Sequence, residues 1–146
     1  MPARIKLQRE DFDIANETDA LARLGGGAIA TFTGVVRGDD GLKSLTLEHY
    51  PGMTEREIGR AAAEAEKRWP LLAATIIHRV GTLTPGERIV LVAVASAHRT
   101  AAMEACQFLI DYMKTRAPFW KREERAGGSE WVKARDADDE ALKRWL

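Results

Sequence analysis

The chain has 146 residues, and its 22 Lys and Arg side chains are balanced by 22 Asp and Glu side chains, so the formal net charge is zero. That balance excludes a global field that would attract nucleic acid or an anionic membrane surface. A chain of this length is expected to form one domain, residues 1–146, around one core.

The sequence also predicts a cytoplasmic protein. No apolar run approaches the roughly 18 residues of a membrane-spanning helix, and the N-terminus lacks the apolar core of a signal peptide. Cys106 is the only cysteine, so the chain can form no internal disulfide and no thiolate metal cluster, as expected in a reducing compartment.

Hydrophobic periodicity predicts strands interspersed with helices along the chain. A capping box of Thr54 and Glu57 begins the second helix, and Pro70 ends it. The turn residues Gly38 to Gly41 predict that the strands on either side of them pair as a hairpin. Predicted strands cover 4–8, 28–37, 42–50, 71–83, 88–97, 119–123 and 130–134, and predicted helices cover 12–24, 54–69, 99–116 and 136–145.

The alternation of hairpins and helices predicts an α+β fold, with a mostly antiparallel sheet and helices packed over it. The strand at 88–97 is almost entirely apolar and is therefore expected to be central. It leads directly to His98 and Arg99, where a helix begins. Free backbone amides at that helix N-terminus already favour anions, and these two side chains would reinforce the preference.

The stretch from Ser96 to Glu123 carries the most chemistry. Ala102, Cys106, Leu109 and Met113 recur at helical spacing and predict one buried face, while Pro118 ends the helix near Arg116. A strand follows, in which Phe119, Lys121 and Glu123 share a face opposite Trp120 and Arg122. Lys114 in the last helical turn and Lys121 after the proline can therefore converge.

The segment 114–125 has five cationic and two anionic side chains, a local excess of three positive charges. Repulsion between Lys114 and Lys121 would favour a neutral amine, able to act as base or nucleophile, whereas the helix C-terminus favours the cation at Lys114. The pattern leaves both outcomes open. It fits an anion-binding catalytic site, to which Arg37 at the end of its strand would belong, or a structural basic rim.

Other common chemistries lack their residue patterns. His49, His78 and His98 are far apart and show no metal-ligand spacing, so no metal site is expected. The chain has no Gly-x-Ser-x-Gly motif, and Cys106 falls on the buried helix face, where a cysteine usually acts as a small apolar side chain.

Four ordered strings resemble the large, catalytic subunit of molybdopterin synthase: FTGVVR (32–37), LTLEHYPGMTE (45–55), SAHR (96–99) and KTRAPFWKRE (114–123). The similarity runs from the first hairpin to the closing helix, although the turn GDDG after Arg37 is shorter than in some relatives. The resemblance implies an α/β-hammerhead-like single domain.

The resemblance further implies a sulfurtransferase that converts cyclic pyranopterin monophosphate to molybdopterin. In this family two sulfurs arrive on the C-terminal Gly-Gly thiocarboxylate of a small ubiquitin-like partner subunit. Glycines at that tail would suit a channel too narrow for side chains. A homodimer within a heterotetramer is expected, with pocket residues drawn from one or both copies, and no cofactor is implied for this subunit.

The family's functional residues map onto matching positions of the chain. Lys114 would contact the thiocarboxylate carbonyl or bond transiently to the tail, and Lys121 would act as general acid or base. Residues implied for binding the pterin or its phosphate are Arg37, His98, Arg99 and Arg135. Phe32 and Ile110 would either wall the pocket or pack in the core.

Two rival functions come from the residues alone. Phe119 and Trp120 beside the cations could stack nucleic-acid bases, although the zero net charge argues against nucleic-acid binding. A purely structural dimer that scaffolds another enzyme is the second rival, and it would make Lys121 dispensable.

Overall fold

The computed structural model describes residues 3–132 and 136–146. This part of the chain contains eight strands and four helices. In chain order they are β1 (Arg4–Gln8), α1 (Ile14–Ala22), β2 (Ala28–Val35), β3 (Ser44–His49), α2 (Met53–Arg68), β4 (Leu71–Arg79), β5 (Gly81–Leu83), β6 (Arg88–Ser96), α3 (Arg99–Arg116), β7 (Phe119–Arg125), β8 (Gly128–Trp131) and α4 (Asp136–Lys143).

The strands form two four-stranded sheets, a large one in the order β1-β4-β6-β2 and a small one in the order β5-β3-β7-β8. Every pairing is antiparallel except that of β1 with β4. The predicted α+β class with mostly antiparallel sheets is confirmed.

Strand β6 lies inside the large sheet and is buried on both faces, which explains its nearly continuous apolar sequence. Val92 and Val94 contribute to the main core, where the sheet packs against α2 and α3. Leu91 and Ala93 point to the opposite face, where they pack with Leu21 of α1. The predicted central position of this strand is confirmed.

Two of the predicted strand arrangements are wrong. β2 and β3 do not pair as a hairpin, because β2 pairs with β6 in the large sheet while β3 lies between β5 and β7 in the small one. The turn itself forms, with positive φ at Asp40 and Gly41, but it leads from one sheet to the other. The predicted strand 71–83 likewise divides at Gly81, whose φ is +93°, so β5 joins the small sheet.

The predicted capping box is also displaced. Helix α2 begins at Met53 with Gly52 as its N-cap, and the Gly52 amide donates to Glu55 Oε1 over 2.9 Å. Thr54 is fully buried and its hydroxyl bonds elsewhere, so it does not cap the helix. The predicted inner face of α2 is confirmed at Ile58, Ala62 and Ala65.

Helix α3 follows its prediction closely. Ala102, Cys106, Leu109 and Met113 are all buried, and the helix ends at Arg116 before extended Ala117. No helix in the described part of the chain is long and apolar enough to cross a membrane.

The C-terminal segment is anchored to α3 through a buried carboxylate. Asp111 is 5% exposed, and its two oxygens accept from Gln107 Nε2 at 2.8 Å and from Trp145 Nε1 at 2.7 Å. The Trp145 ring also packs edge-on against Trp69 and Phe108, with centroids 5.6 and 5.7 Å away. This anchor fixes the end of α4 against the main core.

Trp145→Phe is expected to lower the free energy of unfolding by about 1–3 kcal/mol, because it leaves one buried Asp111 oxygen without its donor. The ring packing is largely kept. Urea denaturation measures the difference, and Trp131→Phe at an exposed position is the matched control. Equal stability of the two variants would contradict the role of the Asp111 hydrogen bond.

Candidate active site

The site forms where α3 ends and β7 begins. Pro118 separates these elements, and its carbonyl accepts a 2.9 Å hydrogen bond from the Thr54 hydroxyl. The same hydroxyl accepts from the Tyr50 amide at 3.0 Å. The fully buried Thr54 therefore ties the end of β3 to the proline bend, which fixes how Lys114 and Lys121 are placed relative to each other.

Strand β7 presents its side chains alternately, as predicted. Phe119, Lys121 and Glu123 are half-buried, whereas Trp120 and Arg122 are exposed. In register with β3, Phe119 lies opposite His49 and Lys121 lies opposite Leu47, which is almost completely buried. The stem of Lys121 therefore starts from an apolar surface on the inner face of the small sheet.

Two of the other cations in this segment are committed elsewhere. The guanidinium of Arg122 lies 5.6 Å from the centroid of the Trp131 ring. Arg125 donates to Glu123 Oε2 at 3.2 Å and to the Asp40 carbonyl at 3.1 Å. The local excess of positive charge predicted from the sequence therefore does not act as a single cluster.

A buried histidine connects the two sheets at this point. His78 at the end of β4 is 7% exposed and stacks on Phe119, with ring centroids 3.9 Å apart and an interplanar angle of 18°. Its Nδ1 lies 2.8 Å from the Arg79 carbonyl, which can only accept, so Nδ1 carries the proton. The ring is thus fixed in one tautomer.

Electrostatics place both lysines near this ring. The pKa of His78 is lowered to about 3, chiefly by burial and in smaller part by the charges of Lys121, Lys114 and His49, while the hydrogen bond to Arg79 opposes the shift. Lys121 lies two residues beyond Phe119 on the same face of β7, and the charges of both lysines act on the ring, so both residues are neighbours of His78 within electrostatic range.

Arg37 lies at the same end of the large sheet. It follows β2, whose last residue Val35 pairs with Arg88 at the start of β6, and the Val36 amide donates to Glu87. Helix α3 begins where β6 ends and packs back over β2 and β6, so its C-terminus with Lys114 returns to this end. Arg37 is exposed there.

His98 and Arg99 lie at the opposite end of α3. His98 is the N-cap and Arg99 the first residue of the helix, and both are exposed. At 1.5 Å per residue, the 15 residues from Arg99 to Lys114 span about 22 Å. One protomer therefore does not bring these two residues together with the lysines.

The remaining predicted site residues have other surroundings. Ile110 is buried in the main core, and half-buried Phe32 packs against the same cluster. Both thus make the core contacts that were one of their two predicted roles. Arg135 lies outside the described residues.

Cys106 behaves as a small apolar side chain. Burial raises the pKa of its thiol to about 11, and the sulfur lies 3.9 Å from the Val92 carbonyl oxygen. A thiol held protonated in this way is a poor nucleophile.

Two surface cavities lie away from the lysines. One, of about 390 Å³, is lined by Arg4, Glu17 and Thr75 among others, and the second, of about 490 Å³, is lined by residues that include Arg60 and Tyr112. None of the predicted site residues lines either cavity.

Sequence reasoning missed His78 and Thr54. His78 was considered only as a metal ligand, although it interrupts an apolar strand on the same face as the buried Ala74 and Ile76. A polar residue at an inward-facing position of a buried strand was the available signal. Thr54 gave no such signal, because its partner Pro118 is 64 residues away.

Comparisons with known proteins agree with this arrangement. The family model described as MoaE protein matches residues 7–116. The molybdopterin synthase catalytic subunit of Mesorhizobium japonicum is 57% identical, with 97% of this chain and 92% of that protein covered. The structure of the molybdopterin biosynthesis MoaE protein from Burkholderia ambifaria is 50% identical, with a TM-score of 0.85 and 98% and 97% coverage.

A more distant structure, molybdopterin synthase from Staphylococcus aureus, is 31% identical, with a TM-score of 0.80 and coverage of 87% of this chain and 95% of that one. The fold and these relatives thus define an α+β enzyme. The chain belongs to the MoaE family and is an enzyme of molybdenum cofactor biosynthesis.

The neutral state of His78 makes stability depend on pH. Below its ordinary pKa of 6.5 the unfolded ring takes up a proton, whereas the folded ring stays neutral down to about pH 3. The unfolded state then binds more protons, so stability falls as the pH falls through this window. Between about pH 7.5 and pH 5 the expected loss from this one group is about 2 kcal/mol.

His78→Phe keeps an aromatic ring beside Phe119 and cannot titrate. Wild-type protein is therefore expected to lose about 2 kcal/mol more than this variant over that pH range, measured by urea denaturation. An identical pH dependence in the two proteins would show that the folded His78 ring has its ordinary pKa.

Proposed function

We propose that this chain is the catalytic subunit that converts cyclic pyranopterin monophosphate to molybdopterin. It takes two sulfurs from the C-terminal Gly-Gly thiocarboxylate of a small ubiquitin-like partner subunit. The observation that carries the proposal is the placement of Lys114 and Lys121 around one buried ring, on either side of the proline bend. Family membership and the string KTRAPFWKRE add to it.

The chemistry of the two lysines suits this reaction. Substrate phosphate and tail thiocarboxylate are both anionic, and the ammonium group of half-buried Lys121 stabilises an anion more than a fully water-exposed one would. Lys114 contacts the thiocarboxylate carbonyl and is the amine positioned for a transient covalent bond to the tail. Lys121, on the inner face of β7, serves as general acid or base during sulfur transfer.

The anion-binding residues at the far end of α3 require a second copy of the chain. His98 and Arg99 lie about 22 Å from Lys114 along α3, too far for one ligand to touch both. In a two-fold homodimer each pocket combines Arg37, Lys114 and Lys121 of one protomer with His98 and Arg99 of the other. Arg135 is assigned to the same anion pocket, and one small subunit binds at each site to give a heterotetramer.

Lys114→Ala and Lys121→Ala are each expected to reduce molybdopterin formation by at least about 100-fold, because each removes a group that contacts the reacting atoms. The assay mixes the purified chain with thiocarboxylated small subunit and cyclic pyranopterin monophosphate, and it measures the dithiolene product. Unfolding free energies of both variants are measured alongside, so that a loss of activity can be separated from a loss of stability.

Lys143→Ala is the matched control, since Lys143 is exposed and pairs with Glu140 in α4. This variant should form molybdopterin at the wild-type rate. Normal turnover in both site variants would remove the two lysines from the mechanism and would favour a scaffold role.

A mixed-dimer experiment tests the shared pocket. Lys114→Ala and Arg99→Ala should each be inactive alone. After co-refolding in equal amounts, half of the dimers are mixed, and each mixed dimer has one pocket with both native residues. Activity should therefore return to about a quarter of wild type if the pocket is shared across the two-fold axis.

The opposite result is equally clear. If each pocket were built from one chain, every pocket in the mixture would still lack Lys114 or Arg99, and no activity would return. Co-refolding Lys114→Ala with Lys121→Ala is the control, because both residues belong to the same half-site and the mixed dimer cannot restore it.

A further inference from the structure

The lysines and arginines assigned above to substrate binding are hydrogen-bond donors. Lysine ammonium and arginine guanidinium groups have no acceptor atom. Glu123, on the same face of β7 as Lys121, is already paired with Arg125. The pterin of the substrate carries ring N–H and amino groups besides the phosphate, and these donors need acceptors that lysine and arginine cannot supply.

His78 supplies an uncharged acceptor at this place. Its Nδ1–H is committed to the Arg79 carbonyl at 2.8 Å, so Nε2 holds the lone pair. Within the described residues, no buried side-chain nitrogen or oxygen lacks a hydrogen-bond partner. Among the described residues, Nδ1 of His78 has a hydrogen-bond partner but Nε2 has none. Nε2 is therefore not completely buried, and it contributes to the 7% exposure of the residue.

The accessible side of the His78 ring can be found from the groups that cover the rest of it. One ring face lies on Phe119 at 3.9 Å, and the Nδ1 edge turns back to the backbone of β4. The charged groups that act on the ring are Lys114 from α3, Lys121 from β7 and His49 from β3. Neither contact covers the ring edge that carries Nε2, and the two lysines of the candidate site are among the charged neighbours of that ring.

We propose that Nε2 of His78 accepts a hydrogen bond from an N–H donor of the bound pterin and thereby helps to select the substrate. The inference rests on the proposed function and deepens it. A protonated imidazole could not accept, so the role requires a neutral ring, and burial together with the neighbouring cations keeps it neutral. Lysines and arginines bind the phosphate, while His78 recognises the pterin ring system.

Two variants separate the acceptor from the packing role. His78→Phe keeps an aromatic ring on Phe119 but removes the acceptor, whereas His78→Gln keeps an acceptor oxygen and loses the ring. His78→Phe should bind cyclic pyranopterin monophosphate about tenfold more weakly, the loss of one hydrogen bond. It should bind inorganic phosphate as wild type does, and His78→Gln should recover part of the pterin affinity.

Histidine ¹⁵N spectra of the wild-type chain give a readout independent of turnover. The His78 ring should show the Nδ1–H tautomer without ligand. The Nε2 resonance should shift when cyclic pyranopterin monophosphate is added, but not when inorganic phosphate is added. An Nε2–H tautomer, or an unchanged Nε2 resonance at saturating pterin, would overturn the proposal.

The binding measurements on the His78 variants also test the proposal. Wild-type pterin affinity in His78→Phe overturns the acceptor role, and so does an equal loss of pterin and phosphate binding, which indicates a general disturbance of the site. If wild-type protein forms product while His78→Phe binds pterin normally, only this inference fails. If wild-type protein neither binds nor converts the pterin, the proposed function fails together with it.

Discussion

The structure depends on one constraint, the fixed bend between α3 and β7. Pro118 cannot continue the helix, and its carbonyl is held by the buried Thr54 hydroxyl, which also accepts from Tyr50. These contacts hold the bend in one conformation. Because Lys114 precedes it and Lys121 follows it, the distance between two repelling amines is set by backbone geometry rather than by their own interaction.

The large sheet provides the rigid support for that bend. β6 is buried on both faces, and α3 lies across it and β2, so the helix C-terminus is brought to the end of the sheet where β4 delivers His78. The small sheet then closes over this end, with Phe119 stacked on His78. The stacked rings of Phe119 and His78, where the two sheets meet, give the site an apolar base. A less polar environment strengthens the electric field of the nearby lysines.

Local signals were sufficient for the elements and for the lysine pair. The period of α3, the proline and the alternation of β7 depend on neighbouring residues, so they were readable from the chain. The pairing of strands could not be predicted in this way. The residues Gly38 to Gly41 predicted a turn correctly, but they could not show that the turn connects two different sheets. Thr54 escaped for the same reason, since its partner Pro118 is distant in sequence, whereas a local signal for His78 was available in its inward-facing position on a buried strand.

The position of His98 and Arg99 shows a different limit of sequence reasoning. Their chemistry fitted an anion pocket, and their location at a helix start was correct, but the length of α3 carries them to the far end of the protomer. A helix long enough to cross the sheet separates the groups at its two ends. Anion-binding groups at both ends of one such helix can share a ligand only through a second copy of the chain, so the proposed pocket stands or falls with the proposed homodimer.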